Sequence, residues 1–422
     1  MKNATINLRW LYLDFNSYFA TIEQQVHPNL RNRPIAIVPS LTDYTCAIAA
    51  SYEAKKIGIK TGTMIYEAKK KCSELICVQA DHQKYIYYHH KLIREINKYI
   101  PIEQVCSIDE VACKLIGKEC IPKNIVQTAI AIKQGIKKNV GDYISCSIGI
   151  SSNKFLAKTA SNLQKPDGLK IISNYKIQER LSHLNLSDLT GIGKRIENKL
   201  FLSGITSIKQ LYNLSPKYMR KIWGNVIGEK FWHLLRGEDI EDIYTNARTI
   251  GHSHVLHPKW RDYKKSREVM RRLIIKAASR LRRKGFFCTN LKISLKTISG
   301  RKIKEKEKFH KLNDSFSLLE KSENIWKKLT SIFRTEKIRQ VNIVLYGLYP
   351  KKSSQPSLFD TLKNSTQEMK KKKIILSETI DCINSRFGRD SITIGALPND
   401  MFKFSGTKVA FTRIPEIKEF YE

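Results

Sequence analysis

The chain has 422 residues, 41% of them hydrophobic, so it can bury a core and divides into roughly two to four domains. Its 75 lysines and arginines against 39 aspartates and glutamates leave a net charge of +36, which implies a polyanionic partner, most often nucleic acid. No stretch approaches the run of about 18 apolar residues that a membrane span needs, the start MKNATINLRW lacks a signal-peptide core, and nine scattered cysteines without a C-x-x-C pair fit reduced thiols in a cytoplasmic compartment.

Leu11–Asp14 reads as a strand and Ser17–Val26 as a short helix with Phe19, Ile22 and Val26 on one face. A carboxylate at the tip of an apolar strand needs a partner, because an unpaired charge in apolar surroundings is costly. Residues 30–80 hold small αβ pieces, and His82–Ile100 is a polar-faced helix. IEQVCSI and VACKLI are strands separated only by Asp109-Glu110, Ile125–Lys138 is a helix, and YISCSIGI is a closing strand. With residues 30–80 set aside as an insertion, the order is β-α-β-β-α-β, the split βαβ of a ferredoxin-like sheet. In that topology the third strand runs antiparallel between the first two, so the turn bearing Asp109 and Glu110 falls at the edge where Asp14 ends the first strand. Converging carboxylates repel one another unless a divalent cation neutralises them. Oxygen-only ligation selects Mg²⁺ or Mn²⁺, and a two-ion site suits phosphoryl transfer. Taken alone, Asp109-Glu110 also reads as a polar hairpin turn, and Phe19 as part of a core stripe.

The character changes after about residue 175. LTGIGKRIENKL outlines a helix-hairpin-helix at Gly191-Ile192-Gly193, where backbone N–H groups can approach a DNA phosphate with Lys194 and Arg195 alongside. Residues 248–350 alternate strands with two helices. The first of these, SREVMRRLIIKAASRLRRKG, has an apolar face (Val269, Leu273, Ile274, Ala277, Leu281) and a basic back that includes Arg271, Arg272, Arg282 and Arg283. The stretch from Lys259 to Lys284 carries 12 lysines and arginines against Asp262 and Glu268, and is expected to read phosphates with a steep salt dependence. From Pro350 to about Lys373 the chain reads as a polar linker ending in KKKK, and residues 374–422 as a last small segment.

LDFNSYFATIE, SYEAKKIGIKTGT, SIDE, SIGISSNKFLAKTASNLQKPDGL and LTGIGKRIENKL stand in the order and spacing of the Y-family translesion DNA polymerases, and the chain resembles that family over almost its whole length. Among the branches it looks closer to UmuC, the catalytic subunit of DNA polymerase V, than to polymerase IV. The tail INSRFGRDSITIGAL…KVAFTRIPEIKEF resembles the small C-terminal domain of UmuC-like polymerases. The resemblance implies an α+β right-hand architecture with a ferredoxin-like palm (1–29 and 81–175), a small fingers insertion (30–80) and a helical helix-hairpin-helix thumb (176–245). An αβ little finger (246–350), a linker (351–373) and a C-terminal tail (374–422) complete it.

Carried onto this sequence, the resemblance makes Asp14 and Asp109 ligands bridging two Mg²⁺ (or Mn²⁺) ions, with Glu110 completing the site and the Phe15 carbonyl on the second ion. Phe19 matches the steric gate that excludes a ribose 2′-hydroxyl, and Phe15, Tyr52, Lys55 and Lys165 match contacts to the incoming nucleotide. Asn16 stands where relatives often have Asp, and could cap the following helix. Gln355, Leu358 and Phe359 of QPSLFD resemble a sliding-clamp peptide, with Pro356 in place of the common Leu. The implied activity is template-directed, low-fidelity DNA synthesis past lesions without proofreading, in the mutagenic SOS response. The implied partners are primer–template DNA, dNTP, the sliding clamp, a UmuD-like subunit and a RecA filament. Two alternatives are a non-catalytic polymerase-like adaptor, against which the retained carboxylates count, and a template-independent cyclase, against which the helix-hairpin-helix counts.

Overall fold

In the computed structural model, which describes residues 7–241, 248–331, 336–351, 364–388, 390–395 and 414, the chain opens with β1 (Trp10–Phe15) and α1 (Tyr18–Val26). Period-2 alternation in β1 puts Leu11 and Leu13 on one face, both fully buried, where each contributes roughly 1.5–3 kcal/mol of burial. Trp10, Tyr12 and Asp14 share the opposite face. Phe19 and Ile22 are buried on α1 as the pattern predicts, but Val26 is 37% exposed, so the expected apolar stripe stops a turn early. Ser17 takes a left-handed conformation (φ 48°) between strand and helix.

The insertion follows as β2 (Ile35–Val38), β3 (Ala49–Ala50), α2 (Tyr52–Lys56), α3 (Ile65–Lys71) and β4 (Ile76–Gln79), a three-stranded sheet β3-β2-β4 with a small core of Val38, Ala54, Ile59 and Ile65. The chain then continues through α4 (His82–Ile96), β5 (Gln104–Val105), β6 (Glu110–Lys114), α5 (Pro122–Asn139), β7 (Cys146–Ser151), α6 (Lys154–Leu163) and β8 (Leu169–Ile172). The sheet order is β5-β6-β1-β7-β8. β1 runs antiparallel to both β6 and β7, and β8 adds parallel to β7. This is the ferredoxin-like order with one extra edge strand. The turn between β5 and β6 is longer than expected: Cys106 to Asp109 form it, and Glu110 is already the first residue of β6.

Helix α6 packs on the Tyr12 face of the sheet, where Ala157 meets Tyr12 and Ala112. Gly149 makes this approach possible. A methyl group there would run into the backbone of Ala157 and Ser161. Beyond β8 come α7 (Ile177–Leu181), α8 (Lys194–Leu202), α9 (Ile208–Tyr212), α10 (Pro216–Trp223) and α11 (Val226–Leu235), gathered on Leu200, Leu211, Met219, Trp223 and Phe231.

Near residue 242 the chain divides into a second compact unit. It contains β9 (Thr249–Val255), α12 (Tyr263–Arg283), β10 (Phe286–Thr297), β11 (Lys302–Leu312), α13 (Ser315–Ser331), β12 (Ile338–Pro350) and α14 (Asn364–Phe387). The antiparallel sheet runs β11-β10-β12-β9. The apolar stripes of α12 and α13 cover one of its faces, and Met270, Leu273, Ile274 and Trp326 of the helices pack with Leu291, Ile293 and Ile343 of the strands. Asp262 caps α12 by accepting from the Lys265 N–H at 2.9 Å.

The linker expectation fails from residue 364 onward, because α14 runs straight through KKKK. Lysine is a good helix former, so a charge run need not be a loop. The helix is anchored by its following turns: Ile380 and Ser377 are buried, and Ser377 Oγ accepts from the Ser315 N–H at 3.1 Å. The stretch Ser377–Asp381, expected in a separate tail, therefore packs with the second unit's helices. The clamp-like peptide (355–360) and the tail stretch KVAFTRIPEIKEF lie outside the described residues, apart from Ile414. Among the described residues, no helix is long and apolar enough to cross a membrane.

Candidate active site

Antiparallel pairing sets Asp14 directly across from Glu110, and the Phe15 N–H donates to the Asp109 carbonyl at 2.9 Å. The strand tips thus bring Asp14, Asp109 and Glu110 together, as the topology predicts. Their oxygens are already engaged. Lys165 Nζ lies 2.6 Å from Asp14 Oδ2, and Lys158 Nζ lies 2.7 Å from Glu110 Oε1. Ser107 Oγ donates to Asp109 Oδ1 at 2.5 Å and lies 3.3 Å from Glu110 Oε2. Among the described residues, no three His, Cys, Asp or Glu side chains are gathered closely enough, as they stand, to hold a metal ion. The carboxylates converge by strand, while lysine and serine hold their oxygens.

Burial pushes the Asp14 carboxyl above its ordinary range, with Lys165 pulling the other way. Asp109 rises to about 6, from burial first, with Asp14 and Glu110 adding to it and Ser107 opposing. Burial of this kind penalises a carboxylate's charged form and so favours a cation at its side, and an all-oxygen donor set suits a hard divalent cation.

Lys55 projects from α2, whose first turn is capped by Ser51 Oγ accepting from the Ala54 N–H. Its Nζ donates to Ser17 Oγ at 2.6 Å and sits 4.6 Å above the Tyr52 ring. Burial lowers the Lys55 pKa and pushes Tyr52 up to about 12. Tyr52, Lys55 and Lys165 therefore surround the same strand tip as Asp14. Phe19 is 3% exposed, with its ring stacked on Tyr85 at 4.3 Å and 15° and meeting His82 edge-on.

Asn16 does not cap α1, contrary to the sequence expectation. Its Nδ2 donates to Ser147 Oγ at 3.0 Å, and its Oδ1 accepts from the Asp167 N–H at 2.9 Å. One side chain thereby ties the loop after Lys165 to the tip of β1. Sequence reasoning also missed Lys158. The signal was available, since Lys154 and Lys158 are four apart on α6 and share a face: Lys154 reaches Gln104 Oε1, and Lys158 lies over the Tyr12 ring.

In the hairpin at 191–193, Gly191 has φ 95°, a conformation that favours glycine, and Gly193 stands at the N-cap of α8. Lys194 and Arg195 are exposed beside it. The basic back of α12 is less open than its sequence suggests. Arg271 pairs with Glu323 at 2.7 Å, Arg272 with Asp390 at 3.1 Å, and Arg282 makes a two-pronged bond to Asp381 at 2.6 and 2.8 Å. Arg283 lines the cavity between α12 and α14.

The open basic surface is instead the uncovered face of the sheet. Lys302, Lys304, Lys306 and Lys308 alternate along β11, opposite Lys296, Ser294, Lys292 and Asn290 of β10. Glu305 and Glu307 point to the helix side, where Glu307 pairs with Lys321 at 3.0 Å. Gln340, Asn342 and Ser253 continue the polar face across β12 and β9. The alternation in KIKEKEKFHK is a period-2 signal legible in the sequence, where the denser charge of α12 overshadows it.

The impB/mucB/samB family model matches residues 13–162, and the model of that family's C-terminal domain matches 247–358. DNA polymerase IV of Ureaplasma parvum is 31% identical over 360 residues, covering 83% of this chain and 97% of that protein. The chain belongs to this family. DNA polymerase IV of Moorella thermoacetica is 29% identical over 392 residues, covering 90% of this chain and 93% of the relative. Both relatives carry the polymerase IV name, so the nearer likeness to UmuC is not supported by them and the polymerase IV branch is the better match. In fold, a Y-family DNA polymerase chimera of Dbh and Dpo4 matches with a TM-score of 0.70 at 21% identity, covering 81% of this chain and 99% of the other. The insertion ternary complex of Dbh DNA polymerase matches at 0.53 and 22% identity, covering 80% and 98%.

Proposed function

We infer that the chain is a DNA-directed DNA polymerase of the Y family that copies past lesions. The observation that carries this reading is the pairing of Asp14 with Glu110 at the strand tips, with Asp109 one residue away, in a chain of this family. The primer 3′-hydroxyl attacks the α-phosphate of a bound dNTP, and pyrophosphate leaves. Asp14, Asp109, Glu110 and the Phe15 carbonyl would hold two Mg²⁺ ions, which supply activation of the attacking oxygen and neutralisation of phosphate charge when bound.

The remaining work falls to the chain's own side chains. Tyr52, Lys55 and Lys165 bind the triphosphate, with lysine acting as a point charge and not as a bidentate fork. Asn16 fixes the loop that presents Lys165. Phe19, held flat by Tyr85, bars a 2′-hydroxyl. Backbone N–H groups around Gly191 and Gly193, with Lys194 and Arg195, take primer–template phosphates. The lysine face of the second unit's sheet tracks the duplex in place of the α12 arginines. A sliding clamp held by Gln355, Leu358 and Phe359, and a UmuD-like subunit with a RecA filament, extend the reading and are tested by co-purification with the full chain.

The deciding experiment is primer extension past an abasic site by wild type and by Asp109→Ala/Glu110→Ala. Wild type is expected to extend, and the variant to lose on the order of a thousandfold or more while binding primer–template normally. Equal extension by both would overturn the assignment.

A further inference from the structure

Three cations crowd the candidate active site. Lys165 and Lys158 sit on Asp14 and Glu110 at 2.6 and 2.7 Å, and Lys55 is bonded to Ser17 beside Asp14. With Asp109, three carboxylates face three ammonium groups, and the cluster is balanced without any ligand. Adding divalent ions alone would leave it strongly positive, and adding a triphosphate alone would leave it strongly negative. Added together, the two nearly cancel. A cation approaching Asp14 Oδ2 must also displace an ammonium that is already in contact.

We propose that Lys158 and Lys165 are stand-in cations that keep Asp14 and Glu110 closed to divalent metal until an incoming triphosphate draws Lys165 away. The inference rests on the polymerase reading and adds to it an order of loading. Metal and nucleotide enter as a neutral pair, and the carboxylates do not collect free metal beforehand. The geometry has the required slack, because both lysine side chains are about a quarter exposed, at 28% and 26%, and reach the site along flexible stems. Lys165 also lies in a loop tied at Asp167, so the ammonium can move while its backbone stays in place.

The test is Mn²⁺ binding followed by electron paramagnetic resonance on the full chain, without DNA, in the presence and absence of a dNTP analogue that cannot be cleaved between its α- and β-phosphates. Wild type is expected to bind Mn²⁺ at least tenfold more tightly with the analogue than without it. Lys158→Met/Lys165→Met is expected to bind Mn²⁺ without the analogue at least tenfold more tightly than wild type. Lys158→Arg/Lys165→Arg, which keeps both charges, is expected to leave the Mn²⁺ affinity without the analogue within about twofold of wild type, so that a gain in the methionine pair reports lost charge and not lost packing. Adding Asp14→Asn to the methionine pair should remove the gain. Equal Mn²⁺ affinity for wild type and the methionine pair without analogue would overturn the proposal and leave the polymerase reading intact. Absence of Mn²⁺ binding by every form, with analogue present, would overturn both.

Discussion

At the strand tips of the first unit, lysines meet carboxylates within ion-pair distance, whereas on the open face of the second unit's sheet lysine follows lysine and the glutamates turn to the far side. The same residue type serves opposite ends. In the first place charge is balanced locally, so the site responds to ligands that arrive as a neutral pair. In the second it is left unbalanced along two neighbouring strands, which attracts a long polyanion and tolerates any sequence. Net charge alone reports the second kind of lysine and conceals the first.

Three measurements would break or sharpen this contrast. The largest effect is expected from replacing Lys302, Lys304, Lys306 and Lys308 together with Gln. DNA binding should weaken by on the order of a hundredfold, and the slope of log K against log salt should flatten by about 3–4, since each phosphate contact contributes about 0.9. The extension rate at saturating DNA should hold. An unchanged salt slope would return the DNA surface to α12.

Next in size is Arg282→Met. The Arg282 side chain is 5% exposed and its guanidinium is forked to Asp381, so its loss should destabilise the protein by about 2 kcal/mol, less than a fully buried pair because Asp381 is partly solvated. DNA affinity should change less than twofold, and a large loss of affinity at unchanged stability would show Arg282 to be a DNA contact.

The smallest effect concerns Asp109. Its carboxyl pKa is raised in the folded protein, so the native state keeps a proton that the unfolded chain has released. Without divalent ions, stability should therefore fall as pH rises from about 4, the unfolded value, through about 6. Asp109→Asn should remove that fall and gain roughly 1–2 kcal/mol at pH 7.5, with the difference vanishing near pH 4. Thermal unfolding in chelator at both pH values measures it.

Much of this was legible beforehand because it rests on period and topology. The ferredoxin-like order follows from alternating strands and helices, and it carries Asp14 to Glu110 without any knowledge of side-chain contacts. What was not legible depends on where side chains end. Asn16 has the right type and position for a helix cap, yet it bonds across to Ser147 and Asp167, residues more than a hundred positions away. Arg272 and Arg282 of α12 look available in sequence because their partners Asp390 and Asp381 lie on a segment that reads as a separate tail. KKKK reads as a loop when charge density is weighed above helix propensity.

Gly149 brings no functional group to the site, yet it governs how near the functional groups can come. Because the strand has no side chain there, α6 lies against the backbone of β7, and the lysine at 158 can span the remaining gap to Glu110. A lysine stem has a fixed number of methylenes. Lifting the helix by the thickness of one methyl group would shorten its useful reach on every charged partner at once. The interval between this strand and this helix acts as a gauge, and it is set by an atom that is missing.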